Sequence, residues 1–349
     1  MAALNILSCI LLLLCAQDDD FIKGYATAIL DREFSVSQAH IEFHEGVLTL
    51  QAADLAGHEK DKVVAALSRI KGVREVRVLE GPASEERPKI TSEGWQVFPE
   101  GRIVPPFMAD PRAPHFGLAY LRYTKSDFPK LRNVGSISLG EEFNLVQYGS
   151  AGFGQFNLAL EPAIFALFNL DAISEDLINA DYRIGIPLEY RRGPVAFKFT
   201  TLHQSSHLGD EFLLNNPGID RVNLSYESFD LKAAVDLGPF RVYAGGSHLF
   251  DKEPADLKPW AAQQGIEWLS TATFISDALA PLIAVDVQER EETNWRPSVS
   301  VRAGIELVNP EHTRRRIQFL LEYYRGDNPN GQFYRDKVEW FGLGLHVYF

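Results

Sequence analysis

The carboxyl-terminal stretch FGLGLHVYF (residues 341–349) alternates an apolar residue with a small or polar one along its whole length. Phe341, Leu343, Leu345 and Val347 belong to the apolar set, and glycines, a histidine and a tyrosine fill the intervening positions. Since successive side chains of a strand point to opposite faces, this period of two predicts a β-strand with one apolar face.

The same alternation recurs from residue 116 onward. Segments 280–291, 298–308 and 316–326 carry branched or aromatic residues at alternate positions, with charges and glycines between them. Each segment is about ten residues long, which is the span of a tilted transmembrane strand. In lipid such a sheet has to close, because an open edge would leave backbone groups without hydrogen bonds.

We therefore predict a closed antiparallel transmembrane β-barrel of about twelve strands over residues 116–349. The strands of a soluble β-sandwich also alternate. Three features favour the barrel: the strand length, a secretion signal predicted at the amino terminus, and a phenylalanine that ends the last strand. The terminal Phe349 resembles the sorting signal that the outer-membrane assembly machinery reads. Breaks in the alternation predict bulges at Glu141 and Glu142 and at Glu161 and Pro162. The predicted strands lie near residues 116–125, 134–149, 154–170, 178–192, 195–206, 221–237, 240–250, 262–271, 280–291, 298–308, 316–326 and 337–349.

The amino-terminal stretch MAALNILSCILLLLCAQ (residues 1–17) contains an apolar run too short to span a bilayer as a helix. We predict a secretion signal there, cut near Ala16 or Gln17, with a fraying apolar tail as the alternative. Cys9 and Cys15, the two cysteines of the chain, lie in this run. The mature chain then has no disulfide, thiolate or cysteine–metal chemistry, unless Cys15 is a lipidation site.

Residues 21–80 read as an α/β module. A strand at residues 46–50 (GVLTL) is followed by a helical pattern at residues 52–70 and a second strand at residues 73–79. GVLTL and the later IKGVREV (residues 70–76) resemble the BON domain, a family of the bacterial periplasm. That resemblance implies contact with membrane or phospholipid; a spacer without a ligand is the alternative.

Residues 81–115 read as a charged linker followed by a proline-rich segment leading into the barrel. The prolines of residues 98–117 exclude a helix or a central strand there, so we expect a packed irregular segment. The 349-residue chain has a formal net charge of −13. This acidic balance excludes nucleic acid as a partner.

Four motifs resemble a bacterial domain-of-unknown-function family, number 1207. They are FMADPR (residues 107–112), FALFNLDA (165–172), LINADYRIGIP (177–187) and HQSSHLGDEF (203–212). The resemblance covers most of residues 98–349. It implies the same barrel domain but supplies no information about activity.

The motif HQSSH (residues 203–207) would lie at the outer end of the fifth strand, where the chain leaves the membrane. Counting by twos from the apolar residues of the fifth and sixth strands places His203, Ser205 and Asn223 on the lipid-facing side. A serine becomes a nucleophile when a histidine takes its proton and a third group orients the histidine.

This arrangement resembles outer-membrane phospholipase A, a twelve-stranded family with His-x-Ser on one strand and Asn on the next. The resemblance implies Ser205 as nucleophile, His203 as base and Asn223 as orienting residue, and a calcium ion near Asp210 and Glu211. Expected partners are membrane lipid (phospholipid or lipid A) and a second copy of the chain. In that family Asn-Gly follows the serine, whereas Ser206 and His207 occupy those positions in this chain.

Three alternatives remain at this point. HQSSH is also explained as a polar rim where a strand leaves the membrane. His203 and His207 with Asp210 or Glu211 could instead bind a metal. Finally, inward charges such as Lys198 fit a non-enzymatic barrel, either a small-solute channel or an envelope anchor with a salt-bridged lumen.

Overall fold

The computed structural model describes residues 22–30, 32–34, 36, 41–44, 46–51, 55, 60–79, 94–127, 131–150, 152–270, 272–274, 278–307 and 316–348. The predicted secretion signal with Cys9 and Cys15, most of the linker, and Phe349 lie outside these residues. The chain divides into two compact units, Met1–Glu86 and Arg87–Phe349, which are described separately.

The first unit is a small mixed α/β module. Helix α1 has helical residues 22–30 and 32–34. Strand β1 (Ile41–His44) pairs antiparallel with β2 (Val47–Gln51), and β3 (Glu75–Leu79) pairs parallel with β2. A parallel pair requires a crossover, and helix α2 (Lys60–Leu67) lies in it. The described helix is shorter than the pattern at residues 52–70, part of which lies outside the described residues.

The second unit is an all-antiparallel barrel. A short strand, β4 (Gly94–Val97), precedes the wall and pairs with β7. The wall strands are β5 (Phe116–Ser126), β6 (Asn133–Gly140), β7 (Phe143–Ser150), β8 (Gly154–Asn169), β9 (Leu177–Arg192), β10 (Val195–Leu208), β11 (Leu224–Leu237), β12 (Phe240–Glu253), β13 (Trp260–Leu269), β14 (Leu279–Arg290), β15 (Pro297–Leu307), β16 (Arg316–Asp327) and β17 (Lys337–Tyr348).

Strands β6 and β7 form one interrupted wall strand, because both pair with β8. The described residues therefore build twelve wall positions, closed by the pairings β8–β9 and β17–β5. This confirms the predicted barrel. The interruption lies at Glu141 and Glu142, where a bulge was expected.

The bulge expected at Glu161 and Pro162 is not there. Strand β8 runs unbroken through both residues, and its register shift against β9 lies between Leu167 and Phe168. Pro162 lies where β8 exchanges β7 for β6 as its neighbour. Its carbonyl accepts the N–H of Glu141 at 3.2 Å, but neither β6 nor β7 has a residue paired with Pro162, so no ladder bond needs the N–H that proline lacks.

The two ends of the barrel differ. Turns 193–194 and 238–239 have two residues each, while the opposite end carries loop 209–223, with helix α3 (Asp210–Asn215), and loop 328–336. Outer-membrane barrels have short periplasmic turns and longer extracellular loops. We therefore call the end with loops 209–223 and 328–336 the outer end.

Apolar side chains cover the outside of the wall. On β17, Phe341, Leu343 and Leu345 are exposed, while Tyr348 and His346 on the other face are buried, as the alternation predicted. None of the described helices is long and apolar enough to cross a membrane.

Residues 98–115 fill the lumen, and we call them the inner segment. Ile103 and Phe107 pack against inward side chains such as Tyr243, and Met108 packs against Leu320. The prolines of this segment offer carbonyl groups but no N–H, so its backbone needs donors from the wall. Wall arginines supply them: Arg241 donates to the carbonyls of Pro105 and Pro106, Arg302 to Met108, Arg191 to Ile103 and Arg183 to Arg112.

Ion pairs tie the inner segment to the wall as well. Arg112 pairs with Asp181 at 2.6 Å and Asp110 with Lys232 at 3.1 Å. Lys198, one of the predicted inward charges, lies 2.5 Å from Glu142 and is part of this buried network. Such pairs are stable in a low-dielectric interior only when both partners are present.

Candidate functional site

The predicted site residues lie at the outer end of β10 and beside β11. On β10, Phe197 and Phe199 are exposed on the lipid-facing side, and His203 and Ser205 follow on the same face. Gln204 and Ser206, on the opposite face, are buried in the barrel. His203 and Ser205 thus lie on an outward surface, as the alternation predicted.

The register between β10 and β11 decides which side chains meet. His203 is directly opposite Glu227, and Ser205 is directly opposite Ser225. The Nδ1 atom of His203 lies 2.8 Å from Oε1 of Glu227. The side chains are 43% and 35% exposed, so the pair is accessible from the surface.

The hydrogen bond to Glu227 fixes the tautomer of His203. An ionised carboxylate has no proton to give, so Nδ1 carries the hydrogen and donates it. Nε2 then keeps its lone pair and can accept a proton. Among the described residues, neither Nε2 of His203 nor the hydroxyl of Ser205 has a hydrogen-bond partner.

Ser205 stands two residues beyond His203 on the same face. Alternate Cα atoms of a strand are about 6.6 Å apart. Side-chain rotation is therefore needed to bring the serine hydroxyl to Nε2, and catalytic hydrogen bonds are often this loose before substrate binds. The arrangement can activate a serine hydroxyl for attack on a carbonyl carbon.

Asn223 does not contact His203 in the described residues. It precedes β11 by one residue, is exposed, and continues the register to a position opposite His207. Glu227 takes the orienting position instead. Glu227 is on the same face as Phe229, two residues before it, so the alternation already placed it on the lipid-facing side. Whether Glu227 or Asn223 lies opposite His203 depends on the strand register, which is set by loop 209–223 and cannot be read from the alternation.

The metal-binding predictions find no support in the geometry. Asp210 and Glu211 are exposed on the first turn of α3. No group of three or more His, Cys, Asp or Glu side chains able to hold a metal occurs within the described residues. His203 and His207 are four residues apart on a strand, about 13 Å, which is too far to share one ion. Within the described residues, these side chains therefore do not offer calcium or zinc three converging carboxylate or imidazole ligands.

An apolar groove of about 430 Å³ lies on the lipid-facing side next to this pair. Phe199 and Phe229 stack at 5.8 Å between ring centroids at its edge. Small residues such as Ala244 and Gly246 leave the surface between Phe229 and Trp260 open. Because Phe229 is the next outward residue after Glu227 on β11, the groove begins beside the His203–Glu227 pair.

Buried hydrogen bonds hold the outer ends of β10 and β11 together from inside the barrel. The side-chain amide of Gln332 donates to the carbonyls of Ser206 and Val222, both at 2.8 Å, and accepts from the N–H of Val222. The Ser206 hydroxyl donates to Asp181 at 2.5 Å. Loop 328–336 therefore fixes the backbone that carries Ser205.

One protein-family model matches residues 33–349, and its description is protein of unknown function, DUF1207. No curated protein matches the chain. The match spans most of the first unit's described residues and the whole described barrel.

Several solved barrels are similar in shape. Outer membrane phospholipase A from Escherichia coli has 11% identity and a TM-score of 0.46, covering 67% of this chain and 89% of that chain. A calcium-bound phospholipase dimer from Salmonella typhi has 12% identity and a TM-score of 0.46, covering 69% and 94%. The KdgM porin has 9% identity and a TM-score of 0.34, covering 67% and 99%. These likenesses concern the barrel and carry no argument about activity.

Proposed function

Since the chain belongs to the family described as protein of unknown function, DUF1207, and that description names no activity, we propose its function from the geometry of the site. The protein is a serine acyl hydrolase of the outer membrane that cleaves ester-linked acyl chains of phospholipid or lipid A. The observation that carries the proposal is the 2.8 Å contact of His203 with Glu227 on the lipid-facing surface beside Ser205.

The proposed reaction uses three side chains. Nε2 of His203 takes the proton of Ser205 while the serine oxygen attacks the ester carbonyl carbon, and Glu227 stabilises the resulting imidazolium. His203 then gives this proton to the leaving alcohol oxygen as the carbon–oxygen bond breaks. Water, activated by the same histidine, attacks the acyl-serine, and a fatty acid leaves with Ser205 restored.

Asn223 receives a different role from the orienting one expected from the resemblance. It lies two residues beyond Ser225, so it is a diagonal neighbour of Ser205 across the strand pair. Diagonal neighbours are about 7–8 Å apart at Cα, within reach of an amide side chain. We assign its NH₂ group as a donor to the oxyanion, which a serine hydrolase needs.

The groove supports a lipid substrate. A depression on this side of the wall faces the hydrocarbon of the bilayer, so a lipid acyl chain is its natural occupant. An acyl chain lying beside Phe229 would place its ester group near Glu227 and His203, toward the outer end. The stacked phenylalanines and the small residues form an apolar surface against which the acyl chain can pack.

Calcium has no step in this mechanism. The resemblance implied an ion near Asp210 and Glu211, but these exposed side chains do not converge with other ligands in the described residues. We assign oxyanion stabilisation to Asn223 rather than to a metal.

The remaining envelope features are part of the same proposal. Residues 1–17 direct export, the BON-like first unit acts in the periplasm on membrane lipid, and the assembly machinery inserts the barrel. A second copy of the chain would cover the lipid-facing groove of each protomer. The alternative of a channel is less well supported, because the inner segment fills the lumen through ion pairs such as Arg112–Asp181.

The test is fatty-acid release from phospholipid and lipopolysaccharide in mixed micelles by the refolded protein. Ser205→Ala should lower the rate by more than about a thousandfold. Ser225→Ala, which removes the hydroxyl directly opposite on the neighbouring strand, is the matched control and should keep the activity. No release from either lipid by folded protein would contradict the proposal.

A further inference from the structure

A cavity of about 190 Å³ lies inside the barrel, on the opposite side of the wall from the Ser205 site. Asp110 of the inner segment lines it, and so do Leu257 and Tyr334 from loops of the outer end. The strands β9 to β14 contribute most of the remaining lining. It therefore lies between the inner segment and the outer loops.

Cationic groups outnumber carboxylates around this cavity. Its lining contains five lysine or arginine side chains and three carboxylates. Two of the cations are already paired, Lys232 with Asp110 and Arg112 with Asp181. By contrast, Arg183 and Arg290 have no carboxylate within ion-pair distance among the described residues.

Three polar side chains at paired positions of neighbouring strands face the cavity. Gln204 of β10 is directly opposite Arg183 of β9 and Tyr226 of β11. Gln204 is 4% exposed, and its side chain makes no hydrogen bond with any described residue. The Nε atom of Arg183 is also buried without a partner.

Polar groups buried in this way cost free energy unless something bonds to them. An oxyanion satisfies guanidinium groups best, because its oxygens match their fork of N–H donors. An amide and a phenol such as Gln204 and Tyr226 suit hydroxyl groups. An apolar cavity of about 150 Å³ holds benzene, so this one has room for roughly seven to ten non-hydrogen atoms.

We propose that the cavity binds a small hydroxylated organic oxyanion, a carboxylate or a phosphate ester, that enters from the outer end. Arg183 and Arg290 bind its acidic group, and Gln204 and Tyr226 bind its hydroxyls. The binding site is independent of the acyl hydrolase, because its groups face the lumen and the Ser205 site faces lipid.

Isothermal titration calorimetry of the refolded full chain in micelles tests this at low ionic strength. The probes are glycerol 3-phosphate and glycerate, with glycerol as the neutral analogue. The variants are Arg183→Gln and Arg290→Gln. Arg325→Gln is the matched control, since it removes the same charge from the exposed face of β16.

One or both anions should bind, glycerol should not, and each cavity variant should weaken binding about tenfold while the control does not. Gln204→Leu, which keeps every charge, should weaken binding as well and serves if an arginine variant fails to fold. Absence of anion binding, equal binding of glycerol, or affinity unchanged in all cavity variants would overturn the inference. Ser205→Ala should bind the anions normally, which separates this site from the hydrolase.

Discussion

His203 and Glu227 lie directly opposite each other on adjacent antiparallel strands, with 2.8 Å between Nδ1 and Oε1. Both side chains project to the lipid-facing side near the outer end, and Ser205 shares that face. A carboxylate bound to Nδ1 leaves Nε2 basic, which is the state a general base requires. The proposed chemistry depends on this one pair of opposite residues.

Glu227→Gln should lower the rate of lipid hydrolysis on the order of a hundredfold, because a neutral amide no longer stabilises the imidazolium. Asn223→Ala should leave His203 oriented and lower the rate through weaker oxyanion binding. The two roles separate by rescue: Glu227→Asp keeps a carboxylate and should recover part of the rate, whereas Asn223→Asp lacks the amide donor and should not. Equal rates in Glu227→Asp and Glu227→Gln would argue against a role for the carboxylate.

Chelation should leave the activity unchanged. Asp210 and Glu211 are exposed and do not converge with other ligands in the described part of the chain. Fatty-acid release in chelator and in added calcium should therefore agree within about twofold, and an Asp210→Asn/Glu211→Gln double variant should behave like the wild type. Strict calcium dependence would show that the oxyanion is stabilised differently.

Ala244→Phe should fill the lipid-facing groove beside Phe229. We expect a raised KM for long-chain phospholipid and an unchanged rate with a short-chain water-soluble ester, because only the long chain needs the groove. Leu343→Phe enlarges another exposed lipid-facing residue, on β17, and is the control. Equal effects of Ala244→Phe on both substrates would place the acyl chain elsewhere.

The outer loop that contains Asp171 should make the barrel sensitive to acid. Hydrogen bonds from the backbone N–H of Asn133 at 2.9 Å and of Arg132 at 3.0 Å hold the pKa of Asp171 below its usual value of 3.8. A lowered folded pKa gives stability that is present above the ordinary pKa and is lost as pH falls through the folded pKa.

Asp171→Asn should therefore lower Tm at neutral pH, and the difference from wild type should shrink as pH falls below about 4. The exposed Asp251, which makes no side-chain hydrogen bond with a described residue, supplies the control Asp251→Asn. A difference for Asp171→Asn that does not change with pH would refute the assignment.

The barrel was predictable because lipid imposes a period of two on every wall strand. The exposed Phe341 and Leu343 and the buried His346 follow that rule, and it also placed His203 and Ser205 on the outer face. The period of two does not predict how an individual residue such as a proline is accommodated in its strand. Pro162 was expected in a bulge but lies in a continuous strand, where it is paired with Ile184 of β9.

The candidate site was predictable in its face but not in its partners. The pairing of β10 with β11 across loop 209–223 determines which residue lies opposite His203. A register shift of two residues would leave every side chain on the same face but would give His203 a different partner from Glu227. The cavity was missed for a related reason. Arg183, Gln204 and Tyr226 lie at paired positions on three neighbouring strands. The alternation within a single strand does not predict which residues of different strands are paired.

The most direct measurement of the central claim is covalent labelling of the folded protein by a long-chain alkyl fluorophosphonate, followed by peptide mass spectrometry. An activated serine displaces fluoride and keeps the phosphonyl group, whereas an ordinary surface serine does not react. The account predicts a single adduct on Ser205 that is absent in Ser205→Ala, slowed at least about a hundredfold in His203→Ala, and retained in Ser225→Ala. Folded protein without an adduct, or with one on another serine, would contradict it.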